Sequence, residues 1–202
     1  MKILLLEAFR GMLRKALERI KEREEEFSKL DAITGDGDHG TAIVTAFSAV
    51  VKTAEKGTDF KTMLSDMGFA VMLETSGSTS TLLGAFFLGM SDAVSGTELN
   101  AADVKAMFAA GLANLRTQTK ADVGDKTMMD ALIPAVKAIE SCPSDDIKDL
   151  LTSAAVAAKQ GAEATIDMVA KFGRARNYGE RSKGSMDSGA ASWSTMFAAF
   201  AE

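Results

Sequence analysis

The stretch Leu5-Leu6-Glu7-Ala8-Phe9-Arg10-Gly11-Met12-Leu13-Arg14-Lys15-Ala16-Leu17-Glu18-Arg19-Ile20 reveals its conformation through spacing alone. Leu5, Phe9, Leu13, Ala16 and Ile20 recur every three or four residues, and charged residues fill the opposite side. That period draws an apolar stripe along an α-helix and not along a strand. The segment therefore predicts an amphipathic helix from near the start to about Lys29. The rest of the chain has the same character. Ala outnumbers Val and Ile together, Met reaches 12, and there are only 2 Pro and 1 Tyr. Ala, Leu and Met lose least on entering a helix, whereas sheets draw on β-branched residues. No long alternating run, no Asn-Gly or Asp-Gly turn between two apolar runs and no internal repeat competes. The expected fold class is all-α.

About eight helical segments follow from the pattern. A Gly-rich loop separates the first from a helix opened by Thr41, with Val44, Phe47 and Val51 on one face. Further segments cover roughly 60–74, 78–94 and 101–118, bounded by Gly57, Ser95-Gly96 and Asn100, the last a candidate N-cap. The next spans about Thr127 to Glu140, with Pro134 inside it as an expected kink. Ser144-Asp145-Asp146 reads as the cap of a long helix reaching about Phe172. A second Gly-rich loop, 173–189, leads into a final helix bearing Trp193, Met196 and Phe197. Such lengths and connections suit one compact antiparallel bundle, a single domain over residues 1–202.

Composition excludes several classes. With 47% hydrophobic and 25% charged residues the chain folds rather than staying disordered. A net charge of −5 removes the basic face that nucleic-acid binding needs. No apolar run reaches the ~18–20 residues of a membrane span. The Ile3–Leu6 run is broken at once by Glu7 and Arg10, too soon for a signal-peptide core. A lone cysteine, Cys142, forms no internal disulfide. The expected setting is the cytoplasm, with neither nucleic acid nor membrane as partner.

The loops carry the chemical information. The first reads Asp31-Ala-Ile-Thr-Gly-Asp36-Gly-Asp38-His39-Gly40-Thr41. Three carboxylates interleaved with glycines form a hard-oxygen set suited to Mg²⁺, and without a cation they would repel one another. An EF-hand is excluded, because the twelfth position counted from Asp36 is Phe47 and not Glu. A solvated acidic turn capping a helix remains the plain alternative. The second loop, Thr75-Ser76-Gly77-Ser78-Thr79-Ser80-Thr81, offers backbone N–H groups to an anion at a helix start, or simply caps that helix. The third, Gly124-Asp125-Lys126-Thr127-Met128, holds a candidate cap in Asp125 and a lysine that either meets a phosphate or lies on the surface. The fourth runs from Gly173-Arg174-Ala175 through Gly179-Glu180-Arg181-Ser182 to Asp187-Ser188-Gly189-Ala190. It is long, basic and glycine-punctuated, a loop able to close over an anionic ligand. His39 is the only histidine, and read by itself it suits a structural role.

Taken in order, these four loops resemble the nucleotide-binding L subunit of dihydroxyacetone kinases over nearly the whole chain. The carrying motifs are Gly-Asp-Gly-Asp-His-Gly at 35–40, Gly-Asp-Lys-Thr-Met at 124–128, Gly-Arg-Ala at 173–175 and Gly-Glu-Arg-Ser at 179–182. The resemblance implies a closed barrel of eight antiparallel helices with the nucleotide, ATP or ADP, in loops at one end. It implies that Asp31, Asp36 and Asp38 hold two Mg²⁺ ions on the phosphates. His39, Gly40 and Thr41 would line the phosphates, with Ser78 and Thr79 beside them. Met128, after Gly124, would pack on adenine, and Arg174 and Asp187 would close the site. Asp31, Asp36, Asp38 and Arg174 would thus be the catalytic set. The acceptor ketose belongs to a separate K subunit, which holds it covalently through its own histidine.

Three positions depart from the family pattern. Ser76-Gly77-Ser78-Thr79-Ser80 replaces a stretch richer in glycine, Ser188 replaces a proline, and Thr119 stands where a glycine is expected. They suggest a branch of the family serving another short ketose such as a tetrulose. They also loosen the expected enclosure, which favours free ATP over a permanently bound ADP recharged by a phosphotransferase-system phosphoprotein. A nucleotide-dependent regulatory docking module is the alternative from another class, but docking alone does not call for three clustered aspartates.

Overall fold

The computed structural model describes residues 1–74 and 77–202. Among these, nine α-helices form: α1 (Leu6–Glu22), α2 (Glu24–Ala32), α3 (His39–Ala54), α4 (Phe60–Glu74), α5 (Ser78–Ala93), α6 (Ala101–Leu115), α7 (Met129–Ser141), α8 (Ile147–Ala164) and α9 (Ser188–Ala201). Eight of them close a ring. α1 packs on α3, α3 on α4, and so on in chain order to α9, which packs back on α1. The ninth, α2, lies outside against α3 and α9. The barrel of eight helices expected from the resemblance is therefore present, and its interior is filled by side chains. Phe9, Phe47, Phe60, Phe86, Phe108 and Phe197 are fully buried there. Phe86 meets Trp193 edge-on, with ring centroids 5.1 Å apart.

Small residues let the helices approach closely. Gly68 of α4 and Gly84 of α5 face each other, so that a Cβ on either would come within 2.9 Å of the other's carbonyl oxygen. The tightest crossing is between α7 and α8. Pro134 lies inside α7 without ending it and, having no N–H, leaves the Asp130 carbonyl without its helical donor. Gly161 of α8 sits over that carbonyl, and any Cβ at 161 would overlap the oxygen.

The element boundaries differ from the periodicity in four places. The first segment splits at Arg23, whose backbone (φ −111°, ψ 11°) leaves helical geometry. The split puts Glu24, Glu25 and Glu26 in the first turn of α2, where the helix dipole favours acids. It also lets α2 lie across the start of α3, where a Cβ on Gly40 would overlap the Glu24 carbonyl. The expected 101–118 helix stops at Leu115. The long helix ends at Ala164 in a 3₁₀ turn, Thr165–Asp167, rather than near Phe172, and the buried Thr165 hydroxyl donates to the Ala162 carbonyl. Finally, two three-residue strands distant in the chain, β1 (Ile3–Leu5) and β2 (Glu98–Asn100), pair antiparallel with Leu4 opposite Leu99. Three residues are too few for a period-2 signal.

Alternate helices of the ring start at opposite ends. The starts of α1, α4, α6 and α8 gather at one end: Leu6 N–H donates to Thr97 O, Phe60 N–H to Gly96 O, and Ile147 N–H to Met1 O. Three of these four are capped by side chains. Asp59 accepts from Thr62 N–H, Asn100 is the N-cap expected there and forms a capping box with Asp103, and Asp146 accepts from Lys148 N–H. No helix among the described residues is long and apolar enough to cross a membrane.

Replacing Gly161 by Ala forces the Cβ into the Asp130 carbonyl and pushes α7 and α8 apart. Urea unfolding should show a loss of about 1–3 kcal/mol, the range for overpacked cores, with an unchanged m value.

Candidate functional site

The other four starts, those of α3, α5, α7 and α9, meet at the opposite end of the barrel. His39, the first residue of α3, ties its own helix to two of the others, α5 and α9. Its Nε2 lies 2.9 Å from Ser192 Oγ in α9, and its Nδ1 lies 3.4 Å from Thr79 Oγ1 in α5. The Ser192 hydroxyl donates to Gly189 O at 3.0 Å. It therefore accepts from Nε2–H, and Nδ1 is left to accept from Thr79. Burial pushes the imidazole pKa below its usual value, so the ring is neutral near pH 7. In contrast to the far end, α3 and α5 have no side-chain cap, whereas Thr127 Oγ1 accepts from the Met129 N–H that opens α7. The first N–H groups of those helices have no intrahelical partner, and the dipoles of four helices converge on one place.

Facing these helix starts is the acidic loop. Carboxylate oxygens of Asp31, Asp36 and Asp38 lie within 4.8 Å of one another. Two glycines make this possible. At Gly35 a Cβ would come 2.7 Å from Asp31 Oδ1, and Gly37 has φ +79°, in the left-handed region. The Gly37 N–H then donates to Asp31 Oδ2 at 2.8 Å and fixes that carboxylate. All three donors are hard oxygens, the set that suits Mg²⁺. Their mutual repulsion is relieved in part by Arg174, whose guanidinium pairs with Asp36 and holds its carboxyl below the usual carboxylate range.

The remaining expected residues fall around this centre with differing roles. Gly40 is buried, and its lack of a side chain is needed for the contact with α2. The Thr41 hydroxyl donates to Glu24 Oε1 at 3.1 Å, so both residues face the centre through backbone rather than side chain. Ser78 and Thr79 open α5 after Gly77, which has φ +97°. Thr75 and Ser76 lie outside the described residues. Met128 is buried just ahead of α7 and lies against Gly189. Gly124 adopts φ +93° and donates its N–H to Asp130 Oδ1 at 2.6 Å. Asp187 caps α9 by accepting from Ala190 N–H at 2.8 Å. Ser188, in place of the family's proline, donates to Asp31 Oδ1 at 3.4 Å and so ties the closing turn to the acidic loop.

Lys126 is where the structure corrects the sequence reading. Its ammonium faces inward, donating to Thr165 O and Ser185 O, each at 2.6 Å, and so lies neither on the surface nor among the acids. Asp125 likewise caps no helix but pairs with Lys171. The side chain that orders this loop is Asp130, fully buried and accepting from both Gly124 and Thr127 N–H. An Asp in the first turn of a helix, three residues after a Thr, was its visible signal.

A cluster of hard-oxygen donors set against uncapped helix starts defines a site for a polyanion with a divalent cation. The chain belongs to the DAK2 domain family, which matches residues 33–202. The ADP-binding subunit DhaL of PEP-dependent dihydroxyacetone kinase 2 from Listeria innocua is 33% identical over 197 residues, covering 94% of this chain and 91% of that protein. L-erythrulose 1-kinase from Mycolicibacterium smegmatis is 32% identical over 188 residues, 90% of this chain and 33% of that protein. The crystal structure of the dihydroxyacetone kinase from C. freundii in complex with AMP-PNP and Mg²⁺ superposes with a TM-score of 0.72 at 26% identity, covering 95% of this chain. The chain spans 33% of that solved chain.

Asp187 supplies a pH test. Desolvation pushes its pKa up to about 7 from a model-compound value of 3.8. The folded state therefore holds this proton to higher pH than the unfolded state, and its stabilising effect is lost as pH rises from about 4 to about 7. Asp187→Asn keeps a capping oxygen but has no charge to bury. Without added Mg²⁺, it should match the parent in thermal melts at pH 4 and exceed it at pH 7.5.

Proposed function

We propose that the chain is the nucleotide-binding subunit of a kinase whose acceptor is a short ketose, dihydroxyacetone or a tetrulose, held by a separate ketose-binding partner. The observation that carries this reading is the convergence of Asp31, Asp36 and Asp38 opposite the uncapped starts of α3 and α5. The family, the ADP-binding relative and the likeness to a kinase solved with AMP-PNP and Mg²⁺ support it. On this reading residues 1–202 act as one domain, working in the cytoplasm.

The three aspartates would hold Mg²⁺, two ions by the family pattern. When bound, Mg²⁺ offsets phosphate charge on the transferring group and its leaving oxygen. Everything else falls to the protein. N–H groups of the first turns of α3 and α5, at His39, Gly40, Thr41, Ser78 and Thr79, orient the phosphates. Neutral His39 fixes those helix starts relative to α9 and moves no proton. Arg174 is exposed and its only ion pair among the described residues is with Asp36, so it is free to turn toward the phosphates and add positive charge there. Gly124 and Met128 form the wall for the base, and Asp187 holds the start of α9 in place. Catalysis is positioning and charge neutralisation, with no general base needed on this chain.

Asp36→Asn and Asp38→Asn should each remove measurable Mg-nucleotide binding in calorimetry and leave far-UV circular dichroism unchanged. Unaltered affinity in both would refute the metal assignment. The purified chain alone should phosphorylate no free ketose, and adding a cognate ketose-binding subunit should restore turnover.

A second reading concerns the phosphoryl donor. The tie from Ser188 to Asp31 closes the turn that a missing proline would leave loose, and the Listeria relative is named PEP-dependent and ADP-binding. Both favour a retained ADP recharged by a phosphoprotein over exchange with free ATP. Acid extraction after long dialysis with Mg²⁺ decides between them. Stoichiometric ADP marks the retained cofactor, whereas an empty chain that turns over with ATP marks free exchange.

A further inference from the structure

Beyond the 3₁₀ turn at Thr165–Asp167 the chain leaves the barrel as an arm, and residues 174–181 at its middle are largely exposed. The arm reaches the acidic cluster through Arg174 on Asp36. Both of its feet stand on two adjacent residues of the loop between α6 and α7. Asp125 takes the first foot: its Oδ1 accepts from Lys171 Nζ at 2.8 Å and its carbonyl from Lys171 N–H at 3.1 Å. Lys126 takes the second, donating from Nζ to Ser185 O and to Thr165 O. Two further bonds complete that foot, one between backbones from Gly184 N–H to Ile166 O at 2.8 Å and one from Asp187 N–H to the Thr165 hydroxyl at 2.9 Å.

Lys126 is an unlikely residue for its position on packing grounds alone. It is 4% exposed, and its backbone sits at φ +59°, the only positive φ outside glycine among the described residues. Burying an ammonium and holding a lysine in the left-handed region both cost free energy. The two carbonyl acceptors and the nearby Asp130, Asp167 and Asp187 offset the first cost. Glycine would avoid both, but would leave the second foot without its cross-link.

We propose that Lys126 is a positioning residue for phosphoryl transfer, clamping the base of the 171–187 arm so that Arg174 reaches the acidic cluster. It acts through the arm, because its own hydrogen bonds end on Thr165 and Ser185. The same loop carries Met128 two residues on, against Gly189, so one short segment sets both the base wall and the arm. This inference rests on the nucleotide reading of the site.

The test compares Lys126→Met, Lys126→Arg, Arg174→Ala and the double variant Lys126→Met/Arg174→Ala, each loaded with Mg²⁺ and a fluorescent ADP analogue. Release is followed by stopped flow and kcat is measured with the ketose-binding subunit. Lys126→Met should speed release and lower kcat about tenfold each, the effect expected for losing charge-assisted hydrogen bonds. Lys126→Arg should recover most of the loss. In the double variant the losses should not multiply, because a clamp has no effect once Arg174 is gone. Losses that multiply, or normal release and kcat in Lys126→Met while Arg174→Ala is impaired, would overturn the clamp and leave the nucleotide reading standing. An unimpaired Arg174→Ala would instead remove Arg174 from the site and the clamp with it. Thermal melts establish folding, and if Lys126→Met does not fold, Lys126→Gly takes its place, since glycine accepts the positive φ.

Discussion

Eight helices running alternately up and down around a filled core place every second N-terminus at the same end. The rest of the molecule depends on that alternation. Each helix start leaves N–H groups unpaired within the helix, and each end of the barrel collects four such starts. The two ends deal with them differently. At the end bearing β1 and β2, the side chains of Asp59, Asn100 and Asp146 satisfy three starts. At the other end α3 and α5 carry no such cap, and the nearby carboxylates of Asp31, Asp36 and Asp38 are turned toward one another instead. A protein that caps most starts at one end and leaves those of α3 and α5 open at the other has divided its helix dipoles between stability and binding.

The local signals in the sequence were strongest where one element decided the outcome. The stripe from Leu5 to Ile20, the cap at Asn100 and the Asp31–Asp38 cluster all act over a turn or two, so their spacing carries their meaning. Features depending on distant partners were not legible. Lys126 looked like a surface or phosphate-binding lysine, because nothing near it in sequence announces Thr165 and Ser185 as its acceptors. Gly40 read as part of a phosphate loop, yet its lack of a side chain is equally demanded by the crossing of α2 over α3. The break at Arg23 fell within an unbroken amphipathic pattern, and only the packing of α2 outside the ring accounts for it.

Rigidity is distributed unevenly around the site. The parts that would meet a nucleotide's phosphates are fixed to helices: Asp31 by Gly37 N–H, and His39 by Ser192 and Thr79. The 174–181 arm is exposed and crosses to them through one surface ion pair, an interaction of small strength in water. On the proposed reading, a rigid floor with a weakly held cover would allow entry and release without disturbing the core, with motion confined to a segment whose feet stay in place.

Closing the ring has a cost in time. Most neighbouring helices in the barrel are also neighbours in the chain, so they form from local contacts and form early. The exception is the seam between α1 and α9, where Phe9 meets Phe200 with ring centroids 6.3 Å apart and Arg19 binds Glu202 across nearly the full length of the chain. Until α9 has been synthesised, the apolar stripe of Leu13, Ala16 and Ile20 has an incomplete seat. A barrel in which α9 has not docked is therefore an open, sticky-sided curl of helices. Docking of α9 completes the core and brings Ser188 to the acidic loop and Asp187 to the start of α9 in the same step, so an unfinished barrel also leaves that loop without its tie.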